Sequence, residues 1–325
     1  MEPIRTVFIG TSEEGVSSLE GIIAHKDFDV VGVVTQPDKP VGRKQELTPT
    51  PIKTIALSKK IKLYTPQNKL QSYKDMLEET DPELIVTIAF GEFLPRIVID
   101  YPKYKCINIH YSLLPQLRGA VPVQMAILEG LEKTGVTIQI MEVECDTGPI
   151  LAQKEISIEP KDTTPTLKEK LIESGQNLLI ETLVPWVNGK ITPTKQKCDC
   201  PEYCFKKDIS KENAEIDWER MDPEYIERMV RALLPWPVAW TTHNGKRIKI
   251  YEAELAELNI ESSPGEIIIM NKEIYFTTKD PNKSLKVTSL QPEGKNIMKA
   301  EQFICGWKGK GYSTSPNNND QGCPD

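Results

Sequence analysis

Residues 84–90 read Leu84-Ile-Val-Thr-Ile-Ala-Phe90, a continuous run of apolar and β-branched side chains that stops at Gly91. Three other runs have the same form, and helix-length segments separate them; they lie at Thr6–Gly10, Val30–Thr35 and Cys106–His110. Strands without polar alternation are typical of a parallel sheet that is covered on both faces. The first half of the chain is therefore predicted to be an α/β domain, whose ligands bind beyond the carboxyl ends of the strands.

Residues 118–207 extend this alternation and then break it. We expect a helix over Arg118–Gly130, strands over Gly135–Met141 and Ile150–Ile158, and an amphipathic helix over Thr163–Trp186. The stretch that follows is rich in Gly, Pro, Lys and Cys, which is typical of a linker. We therefore predict an N-terminal domain at residues 1–188 and a linker at residues 189–207.

Short strands dominate the second half. His243-Asn244-Gly245-Lys246 is a hairpin-turn sequence. A series of short strands after a single helix predicts a smaller β-barrel, like an oligonucleotide-binding fold, at residues 208–310. The polar segment 311–325 is predicted to be a disordered tail. The expected elements are the helix Pro223–Ala232 and the strands Ala239–Thr242, Arg247–Tyr251, Glu266–Met270, Ile274–Thr278 and Leu285–Leu290.

The composition excludes several classes of protein. A chain of 325 residues has room for about two domains. It contains no apolar run of about 18 residues that would span a membrane, and its N-terminus lacks the plan of a signal peptide. The chain has seven cysteines, which is an odd number, and their positions are scattered along the sequence. Both features favour a reduced cytoplasmic protein over a disulfide framework.

Two motif-like segments fail the tests for a metal site and a nucleotide loop. Cys198-Asp-Cys200-Pro-Glu-Tyr-Cys204 lacks the paired spacing of zinc ligands, so we expect no metal. Gly10-Thr-Ser-Glu-Glu-Gly15 has neither the Gly-x-Gly-x-x-Gly pattern nor a following Lys-Ser/Thr, and a tight turn between a strand and a helix explains its glycines.

An amide, an imidazole and a carboxylate occur close together in a chain with three histidines. Asn108 and His110 lie two apart at the end of one predicted strand, so their side chains leave the same face, and Asp146 follows a later strand. A donor amide beside an imidazole suits attack on a carbonyl, and a carboxylate can fix the imidazole tautomer. Asn, His and Asp are also common in turns at strand ends, so spacing alone leaves both interpretations open.

The net charge of −7 disfavours a nucleic-acid partner, but the charges are unevenly distributed. Between Lys39 and Lys62 there are seven basic residues and Glu46 as the single acid. The proline-rich part of this stretch, 36–51, is predicted to be a projecting loop. Charge alone permits either a solvated surface or a patch that contacts phosphates.

Several separate segments resemble the folate-dependent formyltransferase family, in particular its members that act on transfer RNA. The resemblance extends from about residue 4 to 307. Asn108-Ile-His110 and Asp146-Thr-Gly148 are shared across the family, whereas the Pro-Trp-Pro and Leu-Gln-Pro-x-Gly motifs are typical of the transfer-RNA branch. The matching segments are Thr35–Arg43, Asn108–His110, Ser112–Pro115, Arg118–Ala120, Glu144–Gly148, Ile216–Trp218, Arg231–Pro237 and Ser289–Gly294.

The resemblance implies a fold and a reaction. The fold is a Rossmann-like formyltransferase domain followed by the smaller OB-like barrel. The reaction transfers the formyl group of 10-formyltetrahydrofolate, a co-substrate, to the α-amino group of methionyl-initiator tRNA, giving N-formylmethionyl-tRNA for translation initiation without a metal. Asn108 would donate to the formyl oxygen, His110 would supply a second donor or move a proton, and Asp146 would orient His110. The resemblance also suggests a monomer.

The resemblance also implies binding residues and exposes departures from the family pattern. Tyr111, Glu92 and Asp208 stand where the family usually has Gly, an aliphatic residue and Lys. Formyltransferases for a sugar-nucleotide amine or a purine-pathway amine remain alternatives, as does a tRNA-binding protein that has lost its activity. Folate would contact Phe90, Gly91, Leu94, Ser112, Leu113, Leu114 and Pro115, and tRNA would contact Lys39, Arg43, Lys44, Lys246, Arg247 and Lys249.

Overall fold

The structure, a computed structural model, describes residues 2–42, 45–67, 69–197 and 203–306. The chain divides into two compact units. The first comprises Met1–Pro122, Lys133–Ser157 and Lys168–Cys204, and the second comprises Val123–Glu132, Ile158–Leu167 and the residues from Phe205 onward. The predicted domain boundaries and linker remain predictions, and the predicted disordered tail, 311–325, lies outside the described residues.

Strands and helices alternate along the first part of the chain, as expected. The strands are β1 Ile4–Gly10, β2 Phe28–Val34, β3 Lys39–Val41, β4 Glu46–Thr48, β5 Leu63–Tyr64, β6 Leu84–Ile88, β7 Cys106–His110, β8 Arg118–Gly119, β9 Lys133–Ile140, β10 Ile150–Ser157 and β11 Tyr203–Cys204. The helices up to residue 187 are α1 Val16–Ala24, α2 Pro51–Ser58, α3 Leu70–Thr80, α4 Arg96–Asp100, α5 Pro122–Leu128 and α6 Thr164–Val187.

A seven-stranded sheet has the order β10-β9-β7-β6-β1-β2-β5. The five strands from β7 to β5 run parallel, whereas β9 is antiparallel to both β7 and β10. The mostly parallel sheet predicted from the continuous apolar runs is therefore confirmed. Strand β7 has the predicted bounds and lies between β6 and β9, so the residues at its end reach the carboxyl edge of the parallel strands.

The helix predicted over Arg118–Gly130 is wrong in its first turn. It begins at Pro122, and Arg118–Gly119 instead form β8, which pairs in parallel with β11. Gly119 has a φ of +113°, which a right-handed helix does not accommodate. A Cβ at Gly119 would lie 2.3 Å from the Cys204 carbonyl oxygen, so the close approach of β11 requires glycine there.

The segment 36–51 is more ordered than the projecting loop that its prolines predict. Strands β3 and β4 form an antiparallel ribbon, with Lys39 opposite Thr48. Gly42 turns the chain at φ +72°, and the Gln45 backbone N–H donates to its carbonyl oxygen at 3.3 Å. A two-stranded ribbon tolerates Pro40 because each strand has one unpaired edge. Arg43 and Lys44, two predicted tRNA contacts, lie outside the described residues.

An ion pair of low exposure connects the turn before α1 to α6. Lys168 Nζ lies 2.7 Å from Glu14 Oε1. Burial raises the pKa of the Glu14 carboxyl, but the charge and hydrogen bond of Lys168, aided by Ser12, outweigh burial and hold the pKa below its ordinary value of 4.5. The pair therefore stabilises the fold when Glu14 is ionised.

We expect Lys168→Met to lower the free energy of unfolding at neutral pH by about 1–3 kcal/mol, because Glu14 stays largely buried without its partner. A carboxyl whose pKa is depressed by folding stabilises the protein above its unfolded-state pKa, and this stability is lost as the pH falls through the folded-state pKa. Urea denaturation across pH should show the full deficit above about pH 5 and little deficit in strong acid. Arg96→Met, which breaks the exposed pair with Asp100, is the control and should cost less than about 1 kcal/mol. A deficit independent of pH would contradict this role.

The second unit contains the predicted β-rich segment. Its sheet is antiparallel, and Asn244 and Gly245, at φ +50° and +73°, form the predicted two-residue hairpin turn. The helix α7 has the predicted bounds. The elements are α7 Pro223–Ala232, β12 Trp240–His243, β13 Lys246–Glu257, β14 Ile267–Met270, β15 Glu273–Thr277, β16 Lys283–Pro292, β17 Met298–Lys299 and α8 Ala300–Cys305.

The strand order of this sheet is β12-β13-β16-β15-β14, and β17 pairs with β16. Among the described residues no ladder joins β12 to β14, so closure of the sheet into a barrel remains a prediction. Trp218 and Phe276 stack on each other with ring centroids 5.2 Å apart. Of the helices in the described ranges, none has the length and apolar character needed to cross a membrane.

Candidate active site

Asn108 and His110 point from one face of β7 toward the end of the sheet. In the neighbouring strand β9, Gln139 pairs with Asn108 and Thr137 pairs with His110. Directly opposed residues share a face of the sheet, so these four polar side chains form one group. His110 is 6% exposed and Asn108 is partly exposed. Within the described part of the chain, no residue hydrogen-bonds the Asn108 side chain, so its amide N–H groups are free to bind a ligand.

The His110 ring is held by a backbone carbonyl. Its Nε2 lies 2.9 Å from the Leu117 carbonyl oxygen, and because a carbonyl only accepts, Nε2 carries the proton and donates. Nδ1 faces Asp146 Oδ1 at 3.6 Å, which is longer than a hydrogen bond but close enough for an ion pair when Nδ1 is protonated. The ring is thus fixed by Leu117, with Asp146 beside its other nitrogen.

Asp146 is fixed by residues from three parts of the chain. Its carboxylate accepts hydrogen bonds from the Gly119 backbone N–H at 2.9 Å, from Gln139 Nε2 at 2.9 Å and from Cys145 Sγ at 3.1 Å. Burial, together with the Asp146 charge, raises the pKa of the Cys145 thiol to about 12, so the thiol stays protonated and donates. The carboxylate therefore has a defined orientation beside His110.

The segment Ser112–Pro115 is braced by hydrogen bonds to the sheet. Thr137 Oγ1 donates to the Ser112 carbonyl at 2.6 Å and accepts from the Leu114 N–H at 3.1 Å. Gln153 Nε2 donates to the Leu114 carbonyl at 2.8 Å. These backbone groups therefore bond within the unit and are not free for the polar groups of a ligand. Leu114 is buried, whereas Leu113 and Pro115 are partly exposed and remain available for apolar contact.

Phe90, Gly91 and Leu94 follow the end of β6, next to β7 in the sheet. The Phe90 carbonyl accepts from Thr11 Oγ1 at 2.9 Å and from Gln36 Nε2 at 2.8 Å. The side chains of Phe90 and Leu94 belong to the hydrophobic core, whereas Gly91 is exposed at φ +81°. Of these three residues, Gly91 has the surface position that a ligand could reach directly.

The described basic residues of the predicted tRNA surface lie in both units. In the first unit, Lys39 is exposed and donates to Gln36 Oε1. In the second unit, Lys246 and Arg247 are exposed and Lys249 is partly exposed. The Arg247 guanidinium lies 3.7 Å from the centroid of the Trp240 ring, which holds the cation in place. Arg247 and Lys249 line an open cavity of about 530 Å³.

The cysteines do not behave as one class. Cys106, Cys145 and Cys204 are thiols, whereas Cys305 is disulfide-bonded. The expectation of a chain without disulfides is therefore not met at Cys305. Cys198 and Cys200, which were judged not to be metal ligands, lie outside the described residues.

Sequence reasoning missed several residues that build the site. Leu117 acts through its backbone, so its side chain gives no signal. Thr137 and Gln139 carry a weak signal, because they interrupt the apolar strand β9 at two-residue spacing and so point to one face. Gln196, which is 50 residues from Asp146 in sequence, donates to the Asp146 carbonyl at 2.8 Å. No local sequence pattern predicts this contact.

Comparison with known proteins identifies the family. A model described as formyl transferase matches residues 4–183, and a model described as formyl transferase, C-terminal domain, matches residues 208–308. A methionyl-tRNA formyltransferase from Bacillus licheniformis is 43% identical over 303 residues, which is 93% of this chain and 95% of that protein. One from Bacillus mycoides is 42% identical over 308 residues, 94% of this chain and 96% of that protein.

Solved structures give the same fold at lower identity. An N-formyltransferase from Helicobacter canadensis, in complex with folinic acid and dTDP-3-aminofucose, has a TM-score of 0.67 and 21% identity, covering 87% of this chain and 98% of that one. HypX from Aquifex aeolicus, in complex with tetrahydrofolic acid, has a TM-score of 0.61 and 18% identity; the match covers 98% of this chain and 50% of that one. With both family models matched in sequence order and two relatives aligned over nearly their whole length, this chain belongs to the formyl transferase family.

Proposed function

We propose that this protein transfers the formyl group of 10-formyltetrahydrofolate to the α-amino group of methionyl-initiator tRNA. The product is N-formylmethionyl-tRNA, which is used in translation initiation. The observation that carries the proposal is the 43% identity over 93% of the chain to a relative named methionyl-tRNA formyltransferase, a match that includes the second unit as well as the first. The geometry around His110 supplies a chemical mechanism for the same reaction.

Asn108 stabilises the charge that develops during transfer. When the neutral amine attacks the formyl carbon, a new C–N bond forms and negative charge moves to the formyl oxygen. The Asn108 amide has N–H groups without a partner among the described residues, so it donates to that oxygen without first breaking a bond. A donor preorganised in this way is typically worth about 3–4 kcal/mol of barrier.

His110 moves the proton, and Asp146 stabilises its charged form. The attacking amine must lose a proton, and the folate nitrogen needs one as its bond to the formyl carbon breaks and it keeps the electron pair. Nε2 of His110 is engaged with Leu117, so we assign the transfer to Nδ1, which faces Asp146 at 3.6 Å. The Asp146 carboxylate then lies where the imidazolium needs a counter-charge.

We also propose that the residues predicted to bind folate form its pocket. Folate lies at the ends of β6 and β7, between the segment Phe90–Leu94 and the segment Ser112–Pro115. Leu113, Pro115 and Gly91 make the direct contacts because they are the accessible members. Phe90, Leu94 and Leu114 support the wall from the core, and Ser112 fixes the loop through its bond to the Gln116 carbonyl at 2.5 Å.

The tRNA contacts are proposed at two basic surfaces, one in each unit. The first comprises Lys39, Arg43 and Lys44, and the second comprises Lys246, Arg247 and Lys249. Local cations on an acidic chain attract phosphates over short distances, because salt screens charges farther away than about 10 Å.

We also propose that the protein is a cytoplasmic monomer with domains at 1–188 and 208–310. The relatives are named for a tRNA substrate, methionyl-tRNA, which supports the cytoplasmic assignment.

The acceptor is tested by supplying the folate donor with either methionyl-initiator tRNA or a nucleotide-linked amino sugar. We expect formyl transfer to the tRNA and none above background to the sugar. The competing assignment is concrete, because the structural relative from Helicobacter canadensis was solved with such a sugar nucleotide. Transfer to the sugar alone would overturn the proposal.

Arg43→Ala tests the first of these proposed tRNA surfaces in the same assay. We expect kcat/KM for the charged tRNA to fall about tenfold, the equivalent of one charge-assisted hydrogen bond, while folate binding is unchanged. Lys59→Ala removes an exposed charge near the ribbon in sequence and should stay within about twofold of wild type. Equal losses of tRNA turnover and folate binding would show that Arg43 acts on the fold and not on tRNA.

A further inference from the structure

The segment after α6 runs along the catalytic loops of the first unit. Thr194 and Ile150 exchange two backbone hydrogen bonds, of 2.8 and 2.9 Å, just after the turn that carries Asp146. Farther on, β11 pairs with β8, and the Ala120 N–H donates to the Cys204 carbonyl at 2.8 Å. A stretch that its composition marks as a linker is thus hydrogen-bonded to both loops that hold Asp146.

Gln196 lies at the centre of this segment and uses its whole amide. Its Nε2 donates to the carbonyl oxygens of Asp146 and Gly148, both at 2.8 Å. Its Oε1 accepts from Arg118 Nη2 at 2.7 Å and from Arg118 Nε at 3.1 Å. The side chain is partly buried, and its Nε2 also lies 3.4 Å from Gln139 Oε1. One amide therefore joins the Asp146–Gly148 turn to Arg118.

The turn that Gln196 holds is one that needs support. Asp146 has a φ of +54°, in the left-handed region that residues other than glycine rarely adopt. Gly148 passes so close to β9 that a Cβ there would lie 1.7 Å from the Ile140 carbonyl oxygen. Gln196 binds the Asp146 and Gly148 carbonyls of this turn, so its removal leaves Asp146 held only by the hydrogen bonds of its carboxylate to Gly119, Gln139 and Cys145.

Arg118 couples the other side of the site to the same amide. Arg118 is buried, with 6% of its surface exposed. The backbone N–H of the next residue, Gly119, donates to Asp146 Oδ2 at 2.9 Å. Movement of Arg118 would displace that donor. Gln196 therefore restrains Asp146 twice, through the Asp146 carbonyl and through the strand that supplies Gly119.

We propose that Gln196 is a positioning residue that fixes the Asp146 carboxylate beside the His110 ring. The proposal rests on the formyl-transfer function, since its effect on turnover is exerted through Asp146 and His110. Gln139 and Gly119 still bind the carboxylate when Gln196 is removed, so the expected effect is a displacement and not a complete loss of Asp146. Misplacement of a catalytic group by about 1 Å can cost on the order of 100-fold in rate.

Two substitutions separate positioning from simple charge compensation. Gln196→Ala removes every bond, whereas Gln196→Glu keeps an acceptor for Arg118 and loses both donors to the turn. We expect both variants to lower kcat by about 10- to 100-fold and to leave KM for folate and tRNA within about threefold. The exposed neighbours provide matched controls, Lys195→Ala and Lys197→Ala, which should resemble wild type. Full turnover in Gln196→Glu would overturn the proposal, because it would mean that Gln196 only compensates Arg118.

A spectroscopic readout does not depend on the acceptor. The chain has three histidines, so the ring resonances can be assigned one by one by substitution. At fixed pH, the His110 signals should shift in both Gln196 variants in the same sense as in Asp146→Ala, while those of His25 and His243 stay in place. Unchanged His110 signals would contradict the proposal even if turnover fell. If Gln196→Ala fails to fold by circular dichroism, Gln196→Glu supplies both readouts. A wild type without transferase activity would refute the proposed function, and the resonances would still decide the role of Gln196.

Discussion

His110→Ala is expected to lower kcat for formyl transfer by about 1,000-fold, with folate binding nearly unchanged. The substitution removes the group that moves the proton from the attacking amine to the folate nitrogen. It also leaves the Leu117 carbonyl and the Asp146 carboxylate without the ring that lies between them. The measurement is kcat with saturating methionyl-initiator tRNA, together with tetrahydrofolate binding by fluorescence titration.

Two further substitutions distinguish proton transfer from packing. His110→Gln can donate to Leu117 but cannot move a proton at neutral pH, so it should be nearly as slow as His110→Ala. His25→Ala removes a histidine whose side chain is 28% exposed and lies away from the site residues in sequence, and it should be active. Substantial turnover by His110→Gln would contradict a role in proton transfer and leave His110 as a hydrogen-bond donor.

Asn108→Ala is expected to lower kcat by about 100- to 1,000-fold, the usual cost of deleting one preorganised oxyanion donor. Its amide has no partner among the described residues, so the loss should appear in turnover and not in stability. Asn108→Asp is the sharper variant, because it keeps the shape and replaces the donor with negative charge where negative charge must develop. The thermal unfolding midpoint of Asn108→Ala should stay close to that of wild type, and turnover by Asn108→Asp within about tenfold of wild type would contradict the assignment.

The fold was predictable where residue patterns are local. Continuous apolar runs predicted the parallel strands, and β7 and α7 have the bounds expected from sequence. Errors arose where tertiary contacts decide the backbone. Arg118–Gly119 join a strand because β11, more than 80 residues later, pairs with them, and the pattern of that segment alone favours a helix. The β3–β4 ribbon escaped prediction because its prolines argue against a strand more strongly than its short pairing argues for one.

The site was predictable at the residues that carry chemistry and not at those that hold them. Asn108, His110 and Asp146 have residue types and spacing that point to carbonyl chemistry. Their supports are non-local: Gln139 comes from a neighbouring strand, Leu117 contributes a carbonyl, and Gln196 comes from a segment that resembles a linker. Hydrogen bonds of this kind depend on distance in space, which a single sequence does not encode in any periodic pattern.

A single-turnover reaction with formyl-labelled 10-formyltetrahydrofolate and methionyl-initiator tRNA tests the assignment most directly. With enzyme in excess, wild type should move the label into the methionyl-tRNA at close to one formyl group per acceptor, and Asn108→Ala and His110→Ala should leave it on the folate. Label released as formate, or retained on folate that is bound to wild type, would contradict formyl transfer to this tRNA.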